Sequence, residues 1–310
     1  MRGSEGDAAL AALSRGQGGV VLLAQAASLG WTRAKLRARL RTRGWTRIHT
    51  GAYARPGLRV GVRERVRAHQ LAAPELVAGY WAAARLHDVE VRLDRVDLIG
   101  PRASHLRAKG SVMHRMDLGV GEIVAVEGIR VTTVVRTMAD LLRAGPRDDA
   151  LVAVESAVNW RPSQEAARCR RRPLTTLDKV REALASGVGM WGTKRAVEWL
   201  GLADPGAGSP VETLARLWMR DAGLVPETQV RFVTPSGRTV YVDFFFRGRG
   251  LVVEIEGYAW HGSRAQHQRD TVRYNDLADC PEVRKILRFT AADVLHRPAV
   301  MVRRVQAALG

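Results

Sequence analysis

Cysteine is scarce in these 310 residues: Cys169 and Cys280 stand far apart and neither belongs to a Cys-x-x-Cys pair. That spacing gives no signature of a thiolate zinc site or a dithiol redox motif, and the chain reads as a protein of a reducing compartment. Long apolar runs are missing too, since no stretch approaches the roughly 20 residues of a bilayer-spanning helix. The opening MRGSEGDAALAALSRG places Asp7 and Arg15 where a secretory leader would carry uninterrupted hydrophobics. The expectation is a cytoplasmic chain with no membrane partner. Acidic residues are also short, with 31 Asp and Glu against 49 Lys and Arg, a formal net charge of +18. At 46% hydrophobic residues the chain is too apolar for disorder, and its length suffices for two or three domains.

The basic excess is uneven: residues 1–70 carry +11, residues 71–200 carry +4 and residues 201–310 carry +3. A local excess of this kind is the electrostatic footprint of a phosphate-binding surface. DNA is therefore the expected partner, held by the first seventy residues.

Within that segment, Val20 to Leu29 reads as a short apolar helix stopped by Gly30, and Thr32 is a good N-cap for a second helix running to Arg43. Leu36 and Leu40 give the second helix one buried edge. The rest of it carries Arg33, Lys35, Arg37, Arg39, Arg41 and Arg43 with no acid in the segment, and like charges so placed repel unless an anion compensates. Trp45 to Tyr53 alternates toward a β-hairpin bearing Arg47, with Gly51 near the turn. Helix, turn, basic helix and β-ribbon is the order of a winged helix-turn-helix, whose second helix enters the major groove. Arg33, Arg37, Arg41 and Arg47 are the expected DNA contacts; the competing reading is a solvated helix face. The stretch, with its Gly51-Ala52-Tyr53 element, resembles the N-terminal domain of AbiEi-like antitoxins of type IV toxin–antitoxin systems. The resemblance implies sequence-specific binding at the protein's own promoter and a cognate toxin as partner.

Residues 71–200 read as a middle α/β domain. PELVAGYWAAARLH is expected to be helical, RVDLIGP and Glu122 to Val131 to be strands, and Thr132 to Arg143 and Asp148 to Asn159 to be helices. His87, His105 and His114 lack partners at metal-ligand spacing and read as packing or surface residues. TTVVRTMADLL resembles a structural stretch of the same AbiEi-like proteins. Arg161 to Pro173 has no apolar periodicity and reads as an exposed loop.

The expected chemistry lies in residues 201–310. Ser209, Pro210 and Glu212 open a helix as N-cap, first and third positions, which explains Glu212 as a capping-box acid. Thr228 to Thr234, Val240 to Phe246 and Leu251 to Glu256 follow as strands. Arg247-Gly248-Arg249-Gly250 signals a tight hairpin that pairs Phe246 with Leu251 and sets Asp243 opposite Glu254. Side-chain alternation then gives Glu254 and Glu256 one face, with Val242, Phe244, Phe246, Val253 and Ile255 forming an apolar face opposite. Three carboxylates on one patch of sheet repel, and a divalent cation relieves the conflict. A harmless acidic sheet face is the equally balanced alternative from spacing alone.

Glu254-Ile255-Glu256-Gly257-Tyr258-Ala259-Trp260-His261 resembles the strand-to-loop segment of very-short-patch-repair endonucleases, and more closely uncharacterised actinobacterial relatives that end in such a domain. Both belong to the PD-(D/E)xK nuclease superfamily. The likeness includes the Ser-Pro-x-Glu helix, Val242-Asp243, a polar helix with Arg269, Asp270 and Arg273, and the strand Ile286 to Phe289. It spans about residues 208–297 in the order α-β-β-β-α-β, a restriction-endonuclease-like core. It implies Asp243 and Glu254 as ligands of Mg²⁺ (or Mn²⁺), with Glu256 where many members have Lys. Glu256 or His261 would then activate water, and Glu212 is a weaker candidate for the metal. Arg269, Arg273 and Arg288 are candidate phosphate contacts. The expectation is a mixed α+β protein with a winged helix-turn-helix (1–70), a middle α/β domain (71–200) and an endonuclease-like domain (201–310). Its expected activity is Mg²⁺-dependent DNA hydrolysis, the alternative being a non-catalytic, antitoxin-like transcriptional regulator.

Overall fold

The computed structural model describes residues 3–103, 109–159, 161–162, 170–187, 189–256 and 264–310. Helices and strands are intermixed in an α+β fold whose chain forms two compact units. One comprises residues 1–144 and 182–187; the other comprises 145–181 and 188–310. The expected first region and the front of the middle one fall in the first unit. The rest of the middle region falls mainly with the C-terminal residues.

The first unit starts with α1 (Gly3–Gly16), β1 (Val20–Leu22), a 3-10 helix (Leu23–Leu29), α2 (Arg33–Thr42), β2 (Thr46–His49) and β3 (Ala52–Ala54). The strands form an antiparallel sheet in the order β1-β3-β2. The order is helix, strand, 3-10 helix, helix, strand, strand, with a basic α2 leading into the β2–β3 ribbon. The expected helix at Val20 is corrected: Val20, Val21 and Leu22 pair with Ala54, Tyr53 and Ala52, and only then does the chain coil. The Gln25 side chain makes that transition by accepting the Leu22 N–H at 2.8 Å. Gly30 ends the coil at φ 66°, and the Thr32 hydroxyl caps α2 by accepting the Lys35 N–H at 3.2 Å. Leu36 and Leu40 are fully buried and pack with Leu10 of α1, Trp31 and Tyr53.

The arginine stripe is also revised. Asp7 of α1 accepts from Arg39 Nε at 2.7 Å and from Arg43 Nη2 at 2.9 Å, so an acid outside the helix neutralises one edge of it.

The same unit continues with α3 (Val62–Ala72), β4 (Val77–Ala78), α4 (Tyr80–Leu86), β5 (Asp97–Gly100), β6 (Val112–Arg115), β7 (Ile123–Val126), β8 (Ile129–Thr132) and α5 (Val134–Ala144). Its five-stranded sheet runs β6-β5-β4-β8-β7. The helix expected from Pro74 starts only at Tyr80, because Val77 and Ala78 pair with Ile99 and Leu98. Gly79 makes the switch possible: a Cβ there would meet Ile99 Cδ1 at 2.5 Å. His87 Nε2 lies 2.7 Å from the Thr132 carbonyl, and His114 Nε2 lies 2.8 Å from buried Asp97 while stacking on Tyr80. Both histidines are packing residues. His105 lies outside the described residues.

Next come α6 (Arg147–Val158), the short antiparallel pair β9 (Arg161–Pro162) and β10 (Arg170–Arg171), α7 (Leu177–Ser186) and α8 (Thr193–Leu200). The expected loop at 161–173 thus includes a two-residue ladder. Then follow α9 (Pro210–Asp221), β11 (Glu227–Val233), β12 (Thr239–Phe246), β13 (Leu251–Glu256), α10 (Arg264–Ala278), β14 (Lys285–Thr290), α11 (Ala291–His296) and α12 (Pro298–Leu309).

The sheet order is β11-β12-β13-β14, antiparallel except for the parallel β13–β14 pair that α10 connects. Phe246 pairs with Leu251 as expected, through a single 3-10 turn ending at Gly250 (φ 61°). A Cβ at Gly250 would lie 2.6 Å from the Glu282 carbonyl oxygen. Both sheet faces are buried, which corrects the expectation of one apolar and one acidic face. Phe244, Leu251, Val253 and Ile255 pack with α9, α11 and α12; Phe245, Val252 and Phe232 pack with Leu277 of α10. Val242 belongs to the second cluster, not with Phe244. The alternation breaks between them, where Gln229, on the neighbouring strand, has φ 48°.

Candidate active site

Asp243 sits where β12 and β13 part. The last antiparallel pair is Phe244 with Val253; beyond it the Ile255 N–H donates to Asp243 Oδ2 at 2.7 Å. A side chain thus takes over from a backbone acceptor, and Glu254 is left beside Asp243 on the adjacent strand. Glu254 is 5% exposed. Arg273 of α10 donates through Nη2 to Glu254 Oε1 at 2.9 Å and to the Tyr241 carbonyl at 2.6 Å.

This counter-ion does not cancel the cost of burying two acids together. Burial first, and the Asp243 charge second, push Glu254 up to about 7 against the pull of Arg273. Burial also raises Asp243, opposed by the Ile255 N–H, Gln229 and Arg273.

Glu212 comes to this pair from α9. The Ser209 hydroxyl caps the helix by accepting the Glu212 N–H at 3.2 Å, as expected. The Glu212 carboxylate departs from the expected capping box, which would place it on the Ser209 N–H: Oε2 accepts from the Gly208 N–H at 2.8 Å and from Gln229 Nε2 at 3.0 Å. Gln229 Nε2 also lies 3.3 Å from Asp243 Oδ1, so one amide links the two acids. Gln229 is the residue that sequence reasoning missed. It lies across from Asp243, between the β11–β12 pairs of Thr228 with Phe244 and Val230 with Val242.

Glu256 departs from the expected cluster. It forms an ion pair with Arg288, whose guanidinium lies 3.9 Å from the centre of the Tyr274 ring. The three expected carboxylates therefore resolve into a close pair, Asp243 and Glu254, and a separately paired Glu256. Arg273 and Arg288, the expected phosphate contacts, are both engaged by acids. His261 and the side chain of Arg269 lie outside the described residues.

Among the described residues no three Asp, Glu, His or Cys side chains are grouped to hold one ion. The donor set does fit a hard cation that takes one or two carboxylates and completes its shell with water. Two buried acids with raised proton affinity supply oxygen ligands whose repulsion such a charge would relieve.

In the first unit Arg33, Arg37 and Arg41 are exposed at four-residue spacing along α2, and Arg47 is exposed on β2. Arg47 Nη2 donates to the Thr50 hydroxyl at 2.9 Å. Unlike Arg39 and Arg43, Arg33, Arg37 and Arg41 make no ion pair among the described residues.

No family model matches the chain. It is similar to two Mycobacterium tuberculosis proteins, Uncharacterized protein MT2308 (strain CDC 1551 / Oshkosh) and Uncharacterized protein Rv2248 (strain ATCC 25618 / H37Rv). Each is 33% identical over 155 residues, covering 46% of this chain. The chain spans 56% of the length of these relatives. No helix among the described residues is long and apolar enough to cross a membrane.

Proposed function

We propose that the protein is a divalent-metal-dependent DNA endonuclease brought to its substrate by the basic winged-helix region. The observation that carries this reading is the buried Asp243–Glu254 pair at the parting of two strands, tied to Glu212 through Gln229. Asp243 and Glu254 would hold Mg²⁺ (or Mn²⁺), which when bound supplies Lewis acidity and lowers the pKa of water near a phosphodiester. Gln229 keeps Asp243 and Glu212 in fixed orientation. Arg273, released from Glu254 once that acid has a metal partner, would meet the phosphate. Glu256 or His261 would accept the proton from the attacking water. Arg33, Arg37, Arg41 and Arg47 would grip the DNA backbone.

One observation favours a second reading. Arg273 and Arg288 already pair with Glu254 and Glu256, which suits a nuclease-like fold retained for binding, as in an antitoxin-like regulator with a cognate toxin. Incubating the full chain with supercoiled, linear and single-stranded DNA, in Mg²⁺ or in EDTA, separates the two. Mg²⁺-dependent cleavage lost in Glu254→Ala supports the endonuclease. Absence of cleavage on every substrate alongside tight promoter binding supports the regulator, and cleavage that survives Glu254→Ala refutes the site.

A further inference from the structure

Trp191, Arg195 and Trp199 recur at four-residue spacing, the last two on α8 and the first just before it. The Arg195 guanidinium carbon lies 5.0 Å from the Trp191 ring centre and 4.8 Å from that of Trp199, so one cation serves two indoles. Gly189 (φ 93°) and Gly192 (φ 82°) flank Trp191 with left-handed backbone that other residues resist, setting the indole off the start of the helix. Trp199 is half-buried, but Trp191 is 76% exposed. An indole held by a guanidinium and still open to solvent is a preorganised flat surface. Lys194 and Arg195 border it with positive charge, against the single acid Glu198.

We propose that Trp191 and Arg195 form a stacking platform for an unpaired base, so that single-stranded DNA is a ligand of this unit. The charge selects a polyanion, and the open indole selects one with flat apolar faces; nucleic acid combines both. A duplex presents its bases edge-on and stacked on one another, so only an unpaired base offers Trp191 a free face. The choice of DNA over RNA rests on the proposed endonuclease reading.

The test uses the full chain and fluorescence anisotropy with four labelled probes of equal length: oligothymidine, an abasic deoxyribose-phosphate strand, oligouridine RNA and a DNA duplex. Because Trp191 is exposed, Trp191→Ala keeps the fold, checked by circular dichroism, and Trp191→Phe restores an aromatic face. Expected results are an oligothymidine affinity about 5- to 100-fold weaker in Trp191→Ala and largely recovered in Trp191→Phe. The duplex and abasic strand should be unaffected by either substitution. Equal oligothymidine affinity in Trp191→Ala and the unsubstituted protein overturns the platform, as does an equal loss on the abasic strand. Tighter binding of oligouridine than of oligothymidine overturns the assignment to DNA. If duplex is bound and cut while Trp191→Ala changes nothing, the platform alone fails; if neither duplex nor single strand binds, the DNA reading fails with it.

Discussion

Replacing Glu254 by Gln should remove a specific pH dependence from the stability of the second unit. Glu254 titrates at about 7 in the folded chain against an ordinary 4.5. A raised folded value means that the folded state holds the proton more tightly, so stability from this group is complete below about pH 4.5 and is lost as pH rises through about 7. The interval corresponds to about 3 kcal/mol, an upper figure because Asp243 shares the titration. Gln is a neutral near-isostere of the protonated acid. The two proteins should therefore unfold alike at pH 4.5 in EDTA, whereas at pH 8 the Gln variant should melt higher by roughly 6 to 12 °C. Excess Mg²⁺ reverses the order at pH 8, because a cation bound to the ionised pair stabilises the unsubstituted protein only. Thermal melts of both proteins from pH 4.5 to 8.5, in EDTA and in Mg²⁺, provide the measurement. Parallel curves in EDTA would refute the account of two acids forced together.

Replacing both Arg37 and Arg41 by Ala should weaken duplex binding and reduce the slope of log affinity against log salt by about one for each lost phosphate contact, measured by anisotropy across salt concentrations. An unchanged slope rules out that face of α2. Gln229→Leu removes the amide linking Glu212 to Asp243 and should weaken Mg²⁺ binding by about 10- to 100-fold in calorimetry, with the circular dichroism spectrum unchanged. Leu40→Ala opens a cavity in the fully buried core beneath α2 and should destabilise the first unit by about 3 kcal/mol in urea titrations. A loss below about 1 kcal/mol would mean that α2 is not anchored there.

What was legible in the chain depended on how local each determinant is. Thr32, Ser209 and the Arg247-to-Gly250 turn act within a few residues, so the caps and the β12–β13 register could be read directly. The strand at Val20 was not legible, because three aliphatic residues suit helix or strand equally; pairing with Ala52–Ala54, some thirty residues away, decides the outcome. Asp7 neutralises Arg39 and Arg43 from a helix outside the segment considered, which charge counting along that segment misses. At the site, the hairpin register brought Asp243 and Glu254 together, but alternation failed for Val242, because the strand departs from regular pleating opposite Gln229. Glu256 was drawn out of the expected cluster by Arg288 on a strand that pairs with β13 only through the α10 crossover.

Whether Asp243 and Glu254 hold a cation is tested by calorimetric titration of the full chain with Mg²⁺ at pH 6.5 in two buffers of different ionisation enthalpy. The expected result is saturable binding with proton release, because Glu254 is largely protonated at that pH without a cation, and loss of both signals in Glu254→Gln and Asp243→Asn. Absence of Mg²⁺ binding, or binding that persists unchanged in both variants, would contradict it.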